Sequence, residues 1–179
     1  SAVLSLDPSV NASATTSYDQ VTIRGTAVSG YQMYLNDVPG MFAQYKQATN
    51  FLESAEIISG PGTGYTGTAY HSSPGGTVML QSKRAQAKPN RDVTITYSGR
   101  GSVEEKVDVG ERFGDGGRYG VRINALHVDG ETAFKNDKFT QNNIFVNLDQ
   151  RTKNSETNLL LGYLINHQVG RQKALSFRS

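Results

Sequence analysis

The sequence contains no cysteine and no tryptophan among its 179 residues. Without cysteine the chain cannot form disulfides, thiolate metal sites or a cysteine nucleophile. Its 18 basic residues nearly balance its 16 acidic ones, so no field of one sign indicates a nucleic-acid partner. No segment reaches the roughly 18 consecutive apolar residues of a transmembrane helix. The chain is therefore either soluble or enters a membrane as β-strands.

Nineteen glycines and nine tyrosines are typical of a turn-rich β protein. The pattern changes near residues 83–90. Before this point, short apolar segments alternate with loops rich in Gly, Ser, Thr and Pro, and residues 48–55 predict a helix of about two turns. The predicted strands of this half are residues 21–23, 31–35, 56–58 and 76–82. Strands, one helix and irregular loops together predict a small α+β unit.

After Asn90 the alternation of apolar and polar residues becomes longer and more regular. It predicts consecutive antiparallel strands with one apolar and one polar face. The predicted strands are residues 92–98, 103–109, 119–125, 144–149 and 158–166. The turn clusters between them are residues 114–117, 129–130 and 152–155. Such a sheet is either half of a soluble β-sandwich or the wall of a membrane barrel, apolar outward and polar inward. Periodicity does not separate the two.

Four short motifs in the first half resemble, in order and spacing, the plug domain of TonB-dependent siderophore receptors. They are VTIRG (21–25), YLNDVPG (34–40), EIISGP (56–61, followed by Tyr65 and Gly67) and SPGGTVMLQSKR (73–84). Their counterparts in the family are IRG, LDGVP, EVLKGP…YG and PGGVINLVTKR. Residues 107–110 and 120–125 are similar to the opening barrel strands of the same family. The resemblance therefore covers nearly the whole chain.

The resemblance implies that residues 1–88 are a plug domain, an α+β unit with a small mixed sheet, short helices and long loops. Residues 89–179 would then be antiparallel β-hairpins, the first four or five strands of an incomplete outer-membrane β-barrel. The implied function is import of ferric siderophores across the outer membrane of a Gram-negative bacterium. The plug would act as gate and as part of the ligand-binding floor. The implied partners are TonB, the ferric siderophore and outer-membrane lipid. We expect neither an enzyme activity nor a cofactor.

Two departures from the family pattern limit what the chain is expected to do by itself. Nothing before Asp7 matches the short TonB-box segment of the family. A family barrel has about 22 strands, which at roughly 10 residues each need well over 200 residues. Only 95 residues follow Arg84. We therefore expect an incomplete piece that does not transport alone and that self-associates through open sheet edges.

Two groups of residues are candidates for function. Arg24 and Glu56 lie at strand ends in an otherwise apolar layer, where solvated surface charges are the ordinary interpretation. The resemblance implies instead that they join a charge network between plug and barrel wall. It also implies that the loops 39–47 and 62–73 form the floor of the siderophore site. The candidate ligand-binding residues, which are otherwise ordinary loop residues, are Gln44, Tyr45, Tyr65, Tyr70 and His71.

A glycine-rich segment, GPGTGYTG (60–67), superficially resembles a phosphate-binding loop. Gly62 and Gly67 have the Walker spacing, but Thr68 stands where that motif requires lysine. Glycines that permit positive φ in a tight loop account for the segment better. A nucleotide-binding enzyme is therefore the weakest of the functional hypotheses.

No protein metal site is predicted, because His71, His127 and His167 lie on separate segments without paired carboxylates. No motif of a nucleophilic hydrolase is present either. The remaining hypothesis of a different class is a self-contained soluble β-rich binding or interaction protein. Such a protein would cover both the apolar face and the edges of its sheet within a compact monomer.

Overall fold

The computed structural model describes residues 10–14, 19–28, 33–41, 48–60, 75–131 and 138–169. The chain divides into two compact units, Ser1–Arg84 and Ala85–Ser179. Within the described ranges the structure is almost entirely β-strand, and its helical residues form two three-residue 3₁₀ turns, Gly99–Gly101 and Asp115–Gly117. No helix in these ranges has the length and apolarity needed to cross a membrane.

The described residues of the first unit form two sheets. The first sheet is antiparallel with the order β1-β2-β3, and the second has the order β5-β4-β7-β6. Their strands are β1 (Val10–Ala14), β2 (Asp19–Ile23), β3 (Thr26–Val28), β4 (Met33–Leu35), β5 (Val38–Pro39), β6 (Leu52–Ser59) and β7 (Gly76–Ser82). Strands β4 and β7 pair in parallel, whereas β6 and β7 are antiparallel. The prediction of a small mixed sheet is confirmed.

The predicted strands of this unit occur where the sequence pattern places them, although residues 31–32 lie outside the described residues. The core is made by apolar side chains of β2, β3, β4 and β7: Val21, Ile23, Val28, Met33, Leu35, Val78 and Leu80 are all buried. After β4, Asn36 and Asp37 form a two-residue hairpin turn in which both residues have positive φ, 49° and 67°. Both central residues of a type I′ turn require positive φ.

The helix predicted for residues 48–55 is wrong. Residues 50–51 form a turn, closed by a hydrogen bond from the Leu52 N–H to the Thr49 carbonyl oxygen at 3.1 Å, and β6 begins at Leu52. Strand β6 pairs with β7 from Leu52 onward, with a bulge between Leu52 and Ser54. Pairing with the buried strand β7 therefore overrides a local helical preference that was weak in a segment of two turns.

Gly75 and Gly76 bring three strands of the first unit together. A Cβ atom added at Gly75 would lie 2.5 Å from the Ile23 carbonyl oxygen, and one at Gly76 would collide with the Ile58 carbonyl oxygen. Gly76 also has a φ of 144°, which L side chains rarely adopt. The motifs that end β2 and β6 thus meet at a glycine pair because nothing larger fits between their backbones.

The second unit contributes one antiparallel sheet of five strands in sequential order. Its strands are β8 (Asn90–Ser98), β9 (Ser102–Phe113), β10 (Tyr119–Glu131), β11 (Lys138–Arg151) and β12 (Glu156–Val169). Short turns join β9 to β10 and β11 to β12, at the predicted clusters 114–117 and 152–155. Strands β8 and β12 are the two edges of this sheet. The prediction of consecutive antiparallel hairpins is confirmed.

The turn predicted at Asp129–Gly130 is wrong, because β10 continues to Glu131. Gly130 pairs with Phe139 of β11. A Cβ atom added at Gly130 would also lie 2.5 Å from the side chain of Ser102. Gly130 therefore allows β10 and the start of β9 to approach each other closely. A sequence pattern does not distinguish this role of a glycine from a role in a turn.

Candidate functional site

The central strands of the five-stranded sheet, β9 to β11, have one largely buried and one exposed face, and the chemistry of these faces is the reverse of that in a soluble sheet. Along β10, Gly120, Arg122 and Asn124 are buried, while Tyr119 before them and Ile123 between them are exposed. The strand register assigns the residues of the other strands to the same two faces, although no residue of the edge strands β8 and β12 is buried. We call the two sides the polar face and the apolar face. A sheet that packs in water hides its apolar side instead.

The apolar face is a band of large side chains at the surface, interrupted on β8 and β9 by the exposed ion pair Arg91–Glu111. Its members with at least a third of their area exposed are Val93, Ile95, Tyr97, Val107, Phe113, Tyr119, Ile123, Ile144, Leu148, Leu159, Leu161, Tyr163, Ile165 and Val169. From Tyr119 to Ala125 the band covers about 20 Å along β10 at roughly 3.4 Å per residue. Exposed apolar patches of this extent mark contact with lipid or another protein.

Both ends of the apolar band are marked by polar or aromatic groups. At the end nearest the β9–β10 turn, the rings of Phe113 and Tyr119 stack with centroids 5.7 Å apart. At the other end, His127 Nδ1 and Asn142 Oδ1 lie 2.6 Å apart, and Thr140 donates a hydrogen bond to Asp129. An apolar band with aromatic rings at one end and polar pairs at the other is typical of the outer surface of a membrane β-strand wall.

The polar face holds its charges in pairs within the sheet. Arg122 of β10 binds Asp108 of β9 in bidentate fashion, Nε to Oδ1 at 2.6 Å and Nη2 to Oδ2 at 2.9 Å. Gly110 lies directly opposite Arg122. A Cβ atom at Gly110 would lie 2.5 Å from Arg122 Cδ. The glycine therefore makes the space through which the arginine side chain reaches its carboxylate.

A second pair spans three strands. Arg112 of β9 and Asp149 of β11 lie on either side of Gly120 of β10. Arg112 Nη2 is 2.7 Å from Asp149 Oδ2, with side-chain exposures of only 6% and 0%. The same guanidinium donates to the carbonyl oxygens of Gly117 and Ala85, at 2.8 and 2.9 Å. The missing side chain of Gly120 is what lets the pair form across the intervening strand.

Neutral amides supply the other buried polar side chains of this face, beside the buried apolar side chains of Leu126 and Phe139. Asn124, Gln141, Asn143 and Asn147 are each at most 5% exposed. Asn158 donates to Asn147, while Gln141 Nε2 and both polar atoms of the Asn143 side chain have no hydrogen-bond partner among the described residues. Buried amides without protein partners are ordinarily satisfied by water. We therefore expect water molecules to hydrogen-bond to the amides of the polar face.

Only some of the predicted site residues lie within the part of the chain that the structure describes. Arg24 and Glu56 are exposed, and neither forms an ion pair with another described residue. Arg24 is the first central residue of the β2–β3 hairpin turn, with a φ of 51°. The candidate ligand-binding residues Gln44, Tyr45, Tyr65, Tyr70 and His71 lie outside the described residues. Within the described ranges, no three His, Asp or Glu side chains come together as a metal site.

Sequence reasoning missed the two ion pairs of the polar face. Asp108, Arg112 and Asp149 stand at polar positions of alternating segments, where solvated charges are the usual interpretation. The signal that could have identified the pairs is a glycine at the matching position of the neighbouring strand. That signal requires the strand register, which the alternation of residue types alone does not supply.

Comparison with known proteins gives concordant results, although no known family profile matches the chain. The chain is 32% identical over 142 residues to the ferrichrome receptor FcuA of Yersinia enterocolitica, covering 79% of this chain and 19% of that protein. It is 31% identical over 118 residues to a ferrichrome outer membrane transporter and phage receptor of Escherichia coli K12, covering 63% and 15%. The chain thus spans less than a fifth of the length of either relative.

Solved structures show the same relationship. BauA, the ferric preacinetobactin receptor of Acinetobacter baumannii, superposes with a TM-score of 0.79 and 28% identity, covering 90% of this chain and 24% of that one. This match extends over both units. Together with the exposed apolar face, it disfavours the hypothesis of a self-contained soluble β-rich protein, which would have buried that face.

Proposed function

Because the chain belongs to the TonB-dependent siderophore receptors, of which it spans a part, we propose that the intact protein imports ferric siderophores by coupling to TonB. The observation that carries the proposal is the 32% identity to a ferrichrome receptor over 142 residues. The reversed faces of the five-stranded sheet support it, because a membrane wall needs apolar side chains outward and polar ones inward. The protein acts as receptor and transporter, and its chemistry involves no bond breaking.

In this proposal the protein lies in the outer membrane of a Gram-negative bacterium. Residues 1–88 are the plug, on the periplasmic and lumenal side, and residues 89–179 are the first barrel strands. The apolar face contacts lipid. Taken alone, the chain leaves β8 and β12 with unpaired edges, so it is expected to self-associate. Pairing of those edges with further strands removes this tendency in the intact protein.

We propose that the ligand is a ferric siderophore, and that the loops 39–47 and 62–73 contribute to its binding floor. Gln44, Tyr45, Tyr65, Tyr70 and His71 offer aromatic and amide groups that suit a bulky, hydrogen-bonding chelate. The chelate brings its own coordination of iron, so the protein needs no metal ligands. Ferrichrome is the first siderophore to test, because both curated relatives are named for it.

The test is growth on ferric siderophores. The intact protein is produced in an iron-starved strain without other siderophore receptors, supplied with ferrichrome or with catecholate and mixed-type siderophores as the sole iron source. We expect growth on at least one of them in a strain with TonB and none in an isogenic strain without it. A Tyr70→Ala/His71→Ala variant is expected to bind that siderophore more weakly. Normal surface levels combined with no growth and no binding on any siderophore would contradict the proposal.

We also propose that Arg24 serves the charge network between plug and barrel wall, with Glu56. Arg24 occupies a left-handed conformation that costs about 1–2 kcal/mol for most side chains, where glycine or asparagine would fit with less strain. A residue other than glycine that is held in such a strained conformation is a candidate for function. The position of Arg24 in the turn therefore predicts that replacing it will lower activity without lowering stability.

Arg24→Asn is expected to leave the stability of the protein unchanged or to raise it by up to about 1 kcal/mol, since asparagine tolerates positive φ. It is expected to slow siderophore uptake severalfold. Urea unfolding and uptake of labelled ferric siderophore measure the two effects. Asp37→Asn is the matched control, because it changes a charged residue in a turn of the same type. Equal uptake by both variants and the parent would remove Arg24 from the mechanism.

A further inference from the structure

A cleft of about 820 Å³ lies at the turn end of the five-stranded sheet, between the β9–β10 turn and the β11–β12 turn. Its lining includes the run 114–117, which contains three glycines, so few side chains fill the space. Four cations line it, Arg112, Arg118, Arg151 and Lys153, against one carboxylate, that of Asp115. The cleft is therefore electropositive, which favours an anion.

These four cationic side chains differ in the ion pairs and hydrogen bonds that they already form. Arg112 is held by Asp149 and by two carbonyl oxygens, so it builds the wall of the cleft. Arg151 forms longer pairs, at 3.4 Å to Asp149 and 3.2 Å to Glu156. Arg118 and Lys153 are exposed and form no ion pair with any other described residue. Two positive charges at the rim are thus available to an incoming ligand.

The cleft borders the apolar face at Arg118, which lines the cleft, and Tyr119, which follows it in the chain and lies on the apolar face. The Arg118 guanidinium carbon lies 5.6 Å from the centre of the Tyr119 ring, and that ring stacks on Phe113. Phe113 is 56% exposed and begins the apolar band. A molecule with a negative head and an apolar tail would therefore meet a cation and an apolar surface in the right order. A free anion would use only the first of these.

We propose that this cleft binds the phosphate group of an anionic phospholipid, with Arg118 and Lys153 contacting the phosphate and the acyl chains lying along Phe113, Tyr119 and the apolar face. This inference rests on the proposed membrane placement of that face and goes beyond siderophore import. Basic pockets at the membrane boundary bind lipid headgroups in this way. The site would fix the depth of the sheet in the bilayer at its turn end.

The test uses the intact protein in dodecyl maltoside micelles, titrated with phosphatidylglycerol, with phosphatidylcholine or with inorganic phosphate, and bound molecules are counted by native mass spectrometry. The test variant is Arg118→Gln/Lys153→Gln. The control, Arg91→Gln/Lys106→Gln, also removes one arginine and one lysine charge, at positions outside the cleft where each is paired with a glutamate of β9. Each basic residue near a lipid surface contributes about fivefold in affinity, so the double variant should bind phosphatidylglycerol about 30-fold more weakly. The control should bind it like the parent.

Each outcome decides between these possibilities. Tight binding of phosphatidylglycerol over phosphatidylcholine, lost in the test variant and kept in the control, supports the site. Equal binding of phosphatidylglycerol by parent and test variant overturns it. If inorganic phosphate binds as tightly as the lipid and depends on the same residues, the ligand is a soluble anion and the lipid assignment is wrong. The single variant Lys153→Gln, expected to lose about fivefold, answers the question if the double variant does not fold. None of these measurements depends on siderophore or TonB, so they stand apart from the test of import.

Discussion

Gly120→Ala is expected to destabilise the intact protein by about 3–5 kcal/mol, the cost of breaking a buried ion pair on one side. The added Cβ atom would collide with Asp149 Oδ1 and would lie 2.7 Å from Arg112 Nη1. Neither group has an alternative position in water, because the Asp149 side chain is fully buried and that of Arg112 is 6% exposed. The methyl group therefore separates two charges that stay buried.

Urea unfolding in detergent micelles, followed by tyrosine fluorescence or circular dichroism, measures this loss. Gly99→Ala is the matched control, since a Cβ atom there meets nothing within 4 Å, and it should change stability by less than about 0.5 kcal/mol. If Gly120→Ala were as mild as the control, the polar face would have room to relax into water. The description of Arg112 and Asp149 as a buried ion pair of the polar face would then be wrong.

Ile123→Arg is expected to cost about 2–4 kcal/mol in a bilayer, the penalty for a basic side chain on the lipid face near the midplane of a membrane barrel. Ile123 is 36% exposed, lies in the middle of the apolar band and has Val109 and Val146 opposite it. In water, an arginine at such a position would be harmless or would aid solubility. A loss of stability would therefore indicate that this face contacts lipid, and no loss would indicate that it contacts water.

The measurement is reversible unfolding of the intact protein from phospholipid vesicles. The matched control is Thr157→Arg on β12, which introduces the same side chain on the same face of the sheet but at the end of the apolar band, in register with Tyr119, where the penalty falls to about 0–1 kcal/mol. Equal stability for Ile123→Arg and Thr157→Arg would mean that the band does not contact lipid. A water-facing sheet, covered in some other way, would then be the better description.

The sequence by itself determined the class of structure and the position of most strands. The period-two alternation after Asn90 identifies the faces of all five strands in the second unit, because side chains on a strand must point to opposite sides. Residues such as Asn36 and Asp37 identify turns, because few other residues accept positive φ. Local stereochemistry controls both features, so a single sequence contains them. The resemblance of the four motifs added the family, and the comparisons confirmed it.

Only the tertiary structure decided which face is buried. Alternation is the same for a sandwich and for a membrane wall, and the burial of Arg122 beneath an exposed Ile123 is a property of the assembled sheet. The pairing of Arg112 with Asp149 across Gly120 needed the register of three strands, which residue types do not encode locally. The same dependence on partners made a strand of residues 52–59, where the local pattern favoured a helix at residues 48–55. Contacts between residues far apart in the chain outweigh a local preference of a few tenths of a kcal/mol per residue.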